Sequence, residues 1–234
     1  MTVARGRLIV FEGPEGAGKT TQLRRLEAWL AGRAVPCVAR REPGGTALGD
    51  EIRALLLDPA RRIPPRAETL LFLASRAALM EEVVVPALNG GQVVLVDRFF
   101  LSTYAYQVVG RGLPEADVRA ANAVATGGVV PDLTLLLQVP GAARHARAAR
   151  RGAPDRMERA GTDFHERVER AFTRFLAPEW QRAHPECGPL VAVDGDGDED
   201  VVFARVLDTL ARRVPEPFAA ASVARPPAPS PALP

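Results

Sequence analysis

Lysine is almost missing from this chain: Lys19 is the only one among 30 Lys and Arg side chains. A guanine-reading Asn-Lys-x-Asp needs a lysine elsewhere, so a nucleotide switch of that class is excluded. Cysteine is scarce too. Cys37 and Cys187 stand alone, with no C-x-x-C and no metal-ligand spacing, which excludes a disulfide framework and a zinc site and reads as two small buried hydrophobes in a reducing compartment. Of the three histidines, His145, His165 and His184, none falls in a recognised catalytic motif. No apolar run approaches the ~20 residues of a membrane span, and the N-terminus lacks the charged-then-apolar pattern of a signal peptide. The expectation is a cytoplasmic protein without membrane partners. A formal net charge of +2 is too small to argue for nucleic-acid binding. With 47% hydrophobic and 25% charged residues in 234, the chain can bury a full core.

The lone lysine stands in Gly13-Pro14-Glu15-Gly16-Ala17-Gly18-Lys19-Thr20, between the apolar run Leu8-Ile9-Val10-Phe11 and a helix-like segment with Leu23, Leu26 and Leu30. That is G-x-x-x-x-G-K-[ST] in its strand–helix context. Glycines let successive backbone N–H groups face a phosphate, and the helix N-terminus adds its positive dipole end. Lys19 would reach the β- and γ-phosphates, and Thr20 would ligate magnesium. A compact ammonium on a flexible stem suits that place better than a planar guanidinium.

Strand-length apolar runs recur at 8–11, 93–96, 133–137 and 190–193, with a weaker candidate at 35–39. Helical segments separate them, which predicts an α/β fold with a parallel sheet covered on both faces. Helical spacing places Leu70, Leu71, Ala74 and Ala78 of segment 66–88, and Val168, Phe172, Phe175 and Leu176 of segment 162–183, in the core. No internal repeat is visible. The folded unit is expected to end near residue 213. From 214 to 234 the chain is rich in Pro and Ala with few large apolar groups, which predicts a disordered or polyproline-II tail. Asp194-Gly195-Asp196-Gly197-Asp198 starts like a calcium loop, but Glu199 and Arg205 occupy the places of the required Gly and Glu. A turn that supplies a helix N-cap is the better reading.

Asp97 ends the run Val93-Val94-Leu95-Val96, where an acid in this class of fold holds the nucleotide's magnesium. Arg98 follows, placed to clamp phosphoryl oxygens. Arg144, Arg147, Arg150 and Arg151 crowd one short helical segment without an acid among them. They read either as a solvated basic face or, the sharper reading, as a lid, about 141–160, that closes over polyphosphate.

Several blocks together resemble the bacterial type of thymidylate kinase: Glu12 through Thr21, Arg41-Glu42-Pro43-Gly44-Gly45-Thr46, Leu55-Leu56-Leu57-Asp58, Asp97-Arg98-Phe99 with Leu101-Ser102-Thr103 and Ala105-Tyr106-Gln107, Pro131-Asp132-Leu133-Thr134, and Asp155-Arg156. The resemblance runs over about residues 5–213. It implies a three-layer P-loop nucleoside monophosphate kinase fold, with five parallel strands, flanking helices and a short lid. It also implies ATP and dTMP as substrates, magnesium with the ATP, and a homodimer. Gly13, Pro14, Glu15, Gly16, Ala17, Gly18, Lys19, Thr20 and Thr21 would bind ATP, and Glu15 would also lie near the acceptor's 3′-hydroxyl. Phe72 would stack on thymine, Arg76 would hydrogen-bond its carbonyl, and Thr103 and Gln107 would line the base pocket. Tyr106 would pack under the deoxyribose, Arg53 and Arg98 would grip the acceptor phosphate, and Glu42 would sit near the metal through water. Eukaryote-like members carry an arginine where this chain has Gly16; in the subtype without it the lid supplies that charge. Arg151 is then expected on the phosphates and Arg147 on adenine.

The expected reaction is phosphoryl transfer from MgATP to dTMP, with Lys19, Arg98 and Arg151 as its catalytic cations. Two alternatives remain: another nucleoside monophosphate kinase acting on dUMP, UMP or CMP, and an inactive nucleotide-binding scaffold.

Overall fold

The computed structural model describes residues 5–141 and 155–219. Arg144, Arg147, Arg150, Arg151 and most of the expected lid lie outside those residues, as does the tail from 220.

Five strands form one parallel sheet: β1 (Arg7–Glu12), β2 (Cys37–Arg41), β3 (Val93–Asp97), β4 (Leu133–Gln138) and β5 (Leu190–Asp194), in the spatial order β2-β3-β1-β4-β5. The weaker strand candidate at 35–39 is real but sits two residues later, since Cys37 pairs with Val93. β2 is an edge strand and only half-buried, so its apolar signal is diluted by Arg40 and Arg41.

Alternation along the strands sends side chains to two separate cores. Leu8, Val10, Val94, Val96 and Leu136 face one side, where they meet Leu79, Met80, Phe100, Leu101 and Phe172. Ile9, Phe11, Val93, Leu95, Leu135 and Val193 face the other, against Leu23, Leu26 and Leu30 of α1 (Lys19–Ala31) and Val206 and Leu210 of the last long helix (Glu199–Arg213). Helices therefore cover both faces, as a sheet apolar on both sides requires. Asp198 caps that last helix by accepting from the Val201 N–H at 2.8 Å, which bears out the N-cap reading of the Asp-Gly repeat.

Three more helices follow β2: α2 (Ala47–Leu57), α3 (Pro65–Leu79) and α4 (Val85–Asn89), the last joined to α3 by a π-helical turn over Met80–Val84. After β3 come α5 (Phe100–Thr103), a π-helical segment Tyr104–Gly110, and α6 (Glu115–Thr126). Then α7 (Thr162–Arg174) packs on the π-helical segment and buries Phe164, Val168 and Phe172; with Phe175 these bear out the stripe expected there.

The stripe expected in α3 is a correction. Leu70 is 61% exposed and Ala74 is exposed as well, while the inward face carries Glu68, Thr69, Leu73, Ser75, Arg76 and Leu79. The helix turns a polar face inward because Arg76 lines a cleft there, while Glu68 and Ser75 accept buried hydrogen bonds from Arg111, Arg156 and the Gly44 N–H. The expected tail also starts too early: Val214 is buried, and Phe218 is fully buried with its ring 6.2 Å from that of Trp29. One large apolar side chain in a Pro-rich stretch was enough to dock it between α1 and the last helix.

Candidate active site

The loop between β1 and α1 turns through three glycines with positive φ, Gly13 at 139°, Gly16 at 74° and Gly18 at 87°. A Cβ on Gly13 would lie 2.7 Å from the Leu137 carbonyl oxygen, so the chain there has room only for glycine. Lys19 reaches back over the loop and its Nζ donates to the carbonyls of Gly13 and Pro14, each at 2.9 Å. Gly18, Lys19, Thr20 and the side chain of Glu15 face the cleft. Gly13, Pro14, Gly16, Ala17 and Thr21 shape the loop and the helix start without lining it.

Parallel pairing of β1 with β3 sets Phe11 beside Asp97, so the end of β3 comes to the mouth of the loop. Thr20 Oγ1 donates to Asp97 Oδ2 at 2.5 Å. The other carboxylate oxygen, Oδ1, is buried without a hydrogen-bond partner. A buried acceptor beside a hydroxyl fits a hard cation, since a lone carboxylate oxygen in a dry site is costly unless something positive meets it.

Glu12 was not foreseen as a site residue, yet it organises the turn that follows Asp97. Fully buried, it accepts from the N–H groups of Phe99 and Ser102 at 2.7 and 2.9 Å and from the Ser102 hydroxyl at 2.7 Å. This anion at the start of α5 holds Arg98 in its left-handed conformation, φ 73°. Arg98 Nη1 donates to Ser102 Oγ at 2.9 Å, and its guanidinium lies 5.3 Å from the centre of the Tyr106 ring. Burial works against its charge, but Tyr106, Asp97, Glu12 and Glu15 outweigh burial and hold the guanidinium charged above its ordinary range.

Across the cleft, α3 presents Phe72 and Arg76 together, as their i, i+4 spacing predicts. Arg76 is buried and tightly engaged. Nε donates to both Glu42 oxygens at 3.1 and 2.8 Å, Nη2 to Glu42 at 2.5 Å, and Nη1 to Thr103 and Asn122 at 3.0 and 2.5 Å. A single Nη2 hydrogen is left for a ligand. Burial pushes the Glu42 carboxyl up, and Arg76 pulls it back. Arg53, from α2, donates to the Pro43 carbonyl at 3.0 Å; burial, then Arg41, lowers its affinity for its proton. Thr103, Tyr106 and Gln107 complete the far wall of a cavity of about 280 Å³.

The structure thus brings the phosphate loop, Asp97, Arg98, Glu42, Arg53 and the Phe72–Arg76 wall around one cleft. Arg41, Glu68, Ser102, Asn122, Arg111 and Arg156 also belong to this architecture and were not foreseen. Glu68 was within reach: Glu68, Phe72 and Arg76 repeat at i, i+4, i+8 on one helix face. Among the described residues no group of three or more His, Cys, Asp or Glu side chains could hold a metal unaided.

Comparison with known proteins converges on one family. A family model described as thymidylate kinase matches residues 11–184. The thymidylate kinase of Deinococcus radiodurans is 45% identical over 211 residues, covering 90% of this chain and 99% of the relative. That of Gloeobacter violaceus is 51% identical over 166 residues, or 70% and 78% of the two chains. Among solved structures, thymidylate kinase from Ehrlichia chaffeensis superposes with a TM-score of 0.68 at 27% identity, covering 88% of this chain and 99% of that one.

Proposed function

The chain belongs to the thymidylate kinase family, and from that premise we propose how its cleft transfers the γ-phosphoryl group of ATP to dTMP, giving dTDP and ADP. The observation that carries the assignment of roles is the Thr20–Asp97 pair facing the Phe72–Arg76 wall across one cavity. A donor half-site and an acceptor half-site meet there, with Lys19, Arg53 and Arg98 between them.

On the donor side, the N–H groups of the loop from Gly13 to Thr21 cradle the ATP phosphates and Lys19 moves from the Gly13 and Pro14 carbonyls onto them. Thr20 and Asp97 would hold the magnesium that accompanies ATP, and Glu42 would act on it through water. Bound there, the ion would supply positive charge that offsets the charge of the phosphates.

On the acceptor side, Phe72 stacks on thymine, the remaining Nη2 hydrogen of Arg76 meets a base carbonyl, and Tyr106 packs under the deoxyribose, close to Glu15. Thr103 and Gln107 bound the base. Arg53 and Arg98 clamp the acceptor phosphate. With a second pKa of about 6 that phosphate is mostly dianionic at neutral pH, so it attacks without a general base. The work left to the protein is alignment and charge neutralisation by Lys19, Arg98 and a lid arginine, with Arg151 on the phosphates and Arg147 over adenine.

We further infer a homodimer, supported by apolar side chains exposed on three helices packed side by side: Leu48 and Leu55 on α2, Leu70 on α3, and Val124 on α6. No helix among the described residues is long and apolar enough to cross a membrane. A cytoplasmic place suits free Cys37 and Cys187 and a reaction that consumes ATP.

ADP release from MgATP with dTMP, dUMP, UMP, CMP or AMP tests the reading, with Lys19→Ala beside the wild type. Turnover is expected to be fastest on dTMP and to fall by about a thousandfold or more in the variant, as for other groups that stabilise developing charge. Near-normal turnover without Lys19, or preference for a ribonucleotide, overturns the roles assigned here.

A further inference from the structure

Glu68 is fully buried on α3, and its carboxylate accepts hydrogen bonds from three side chains. Its Oε1 accepts from Gln107 Nε2 at 3.2 Å and from Arg111 Nε at 3.0 Å. Its Oε2 accepts from Arg111 Nη2 at 2.9 Å and from Arg156 Nη1 at 2.7 Å. Arg156 is held in turn, with Nε donating to the Leu56 carbonyl at 2.6 Å. Three segments therefore meet at one carboxylate: α3, which carries it, the π-helical segment with its end, and the Asp155-Arg156 turn, which is tied in turn to the C-terminal end of α2.

A carboxylate paired with two guanidiniums only accepts hydrogen bonds. The atom that Gln107 turns toward it must then be the amide nitrogen, because an amide oxygen there would set one acceptor against another. Gln107 itself lines the cleft and is 2% exposed. With Nε2 claimed from behind, its amide offers Oε1 to whatever occupies the base pocket.

We propose that Glu68 is a positioning residue for acceptor selection: it locks the Gln107 amide so that an acceptor faces the base, favouring a pyrimidine that carries an N–H at that edge over one that carries a lone pair. Thymine and uracil show N3–H beside a carbonyl, which suits the Gln107 oxygen beside the Arg76 donor. Cytosine shows a ring lone pair beside an amine, so both contacts are mismatched and two buried polar groups are left unpaired. This rests on the base pocket assigned above; what it adds is that the selecting atom is set by a residue that never touches the nucleotide.

The test compares kcat/KM for dTMP and dCMP in the wild type, Glu68→Gln, Gln107→Ala and the double variant. A glutamine at 68 can present either end of its amide, so Gln107 is free to flip. Glu68→Gln is expected to raise the KM for dTMP with kcat changed much less, and to lower the dTMP-to-dCMP preference by about tenfold, the size of one lost hydrogen bond. In the Gln107→Ala background the same substitution should change the preference no further, because the group it acts through is gone. Glu68→Asp keeps a charge for Arg111 and Arg156 while withdrawing from Gln107; it should show the same loss of preference if Glu68→Gln fails to fold. A preference that drops in Gln107→Ala but survives both Glu68 variants overturns the positioning role alone. A preference untouched by Gln107→Ala overturns the base pocket and this inference with it.

Discussion

Arg76 shows how much of this site is held by partners other than the ligand. Its guanidinium is clasped by Glu42, Thr103 and Asn122 and lies 4.6 Å from the centre of the Phe99 ring. A buried pair of this kind adds little over an apolar pair, but removing one partner strands the other charge. Glu42→Gln is therefore expected to destabilise the protein by about 3–5 kcal/mol. Urea unfolding measures this, and the KM for dTMP should rise in parallel as Arg76 loses its orientation. A loss within about 0.5 kcal/mol, the range of ordinary surface substitutions, would mean that Arg76 is held without Glu42.

At the scale of elements, the acceptor pocket depends on how closely α7 lies against the π-helical segment Tyr104–Gly110. Gly110 has an ordinary backbone conformation, so its smallness serves packing: a Cβ there would come 2.6 Å from Cε2 of Phe164. The Phe164 ring is buried, 6.0 Å from Tyr106 and 4.5 Å from the guanidinium of Arg111. It cannot move without disturbing both. Gly110→Ala should cost about 1–3 kcal/mol through overpacking. It should also raise the KM for dTMP while leaving that for ATP nearly unchanged, because the phosphate loop lies on the far side of the cleft. Equal changes in both constants in steady-state kinetics would point to a global effect instead. The π-helical geometry of this segment and of Met80–Val84 left no trace in the periodicity, since the extra residue per turn is imposed by what packs around it.

For the whole molecule, the exposed apolar faces of α2, α3 and α6 carry the proposed dimer. Val124, 85% exposed near the end of α6, is the most accessible of these side chains. An isologous interface buries each such residue twice, so one charge there acts on both copies. Wild-type protein is expected at twice the chain mass of 25.1 kDa in light scattering, and Val124→Glu at the mass of one chain. A dimer that survives the substitution puts the interface elsewhere.

What the sequence by itself determined is what short-range chemistry controls. The phosphate loop, four of the five strands and the Asp97-Arg98 step were legible because a glycine's φ, an apolar run's burial and an acid at a strand end are decided within a few residues. The Phe72–Arg76 pair came from the family resemblance, and its i, i+4 spacing only made a shared helix face consistent with it. Tertiary structure alone decided the rest. Glu12 and Glu68 act on groups 87 to 90 and 39 to 88 residues away, so nothing local marks them as different from solvated acids. Leu70 and Ala74 of the stripe expected in α3 face outward and Leu71 and Ala78 are only half-buried, because periodicity reveals that a face exists and not what it meets. Phe218 is core because α1 and the last helix leave room for its ring beside Trp29, a gap that appears only once both helices have docked on the sheet.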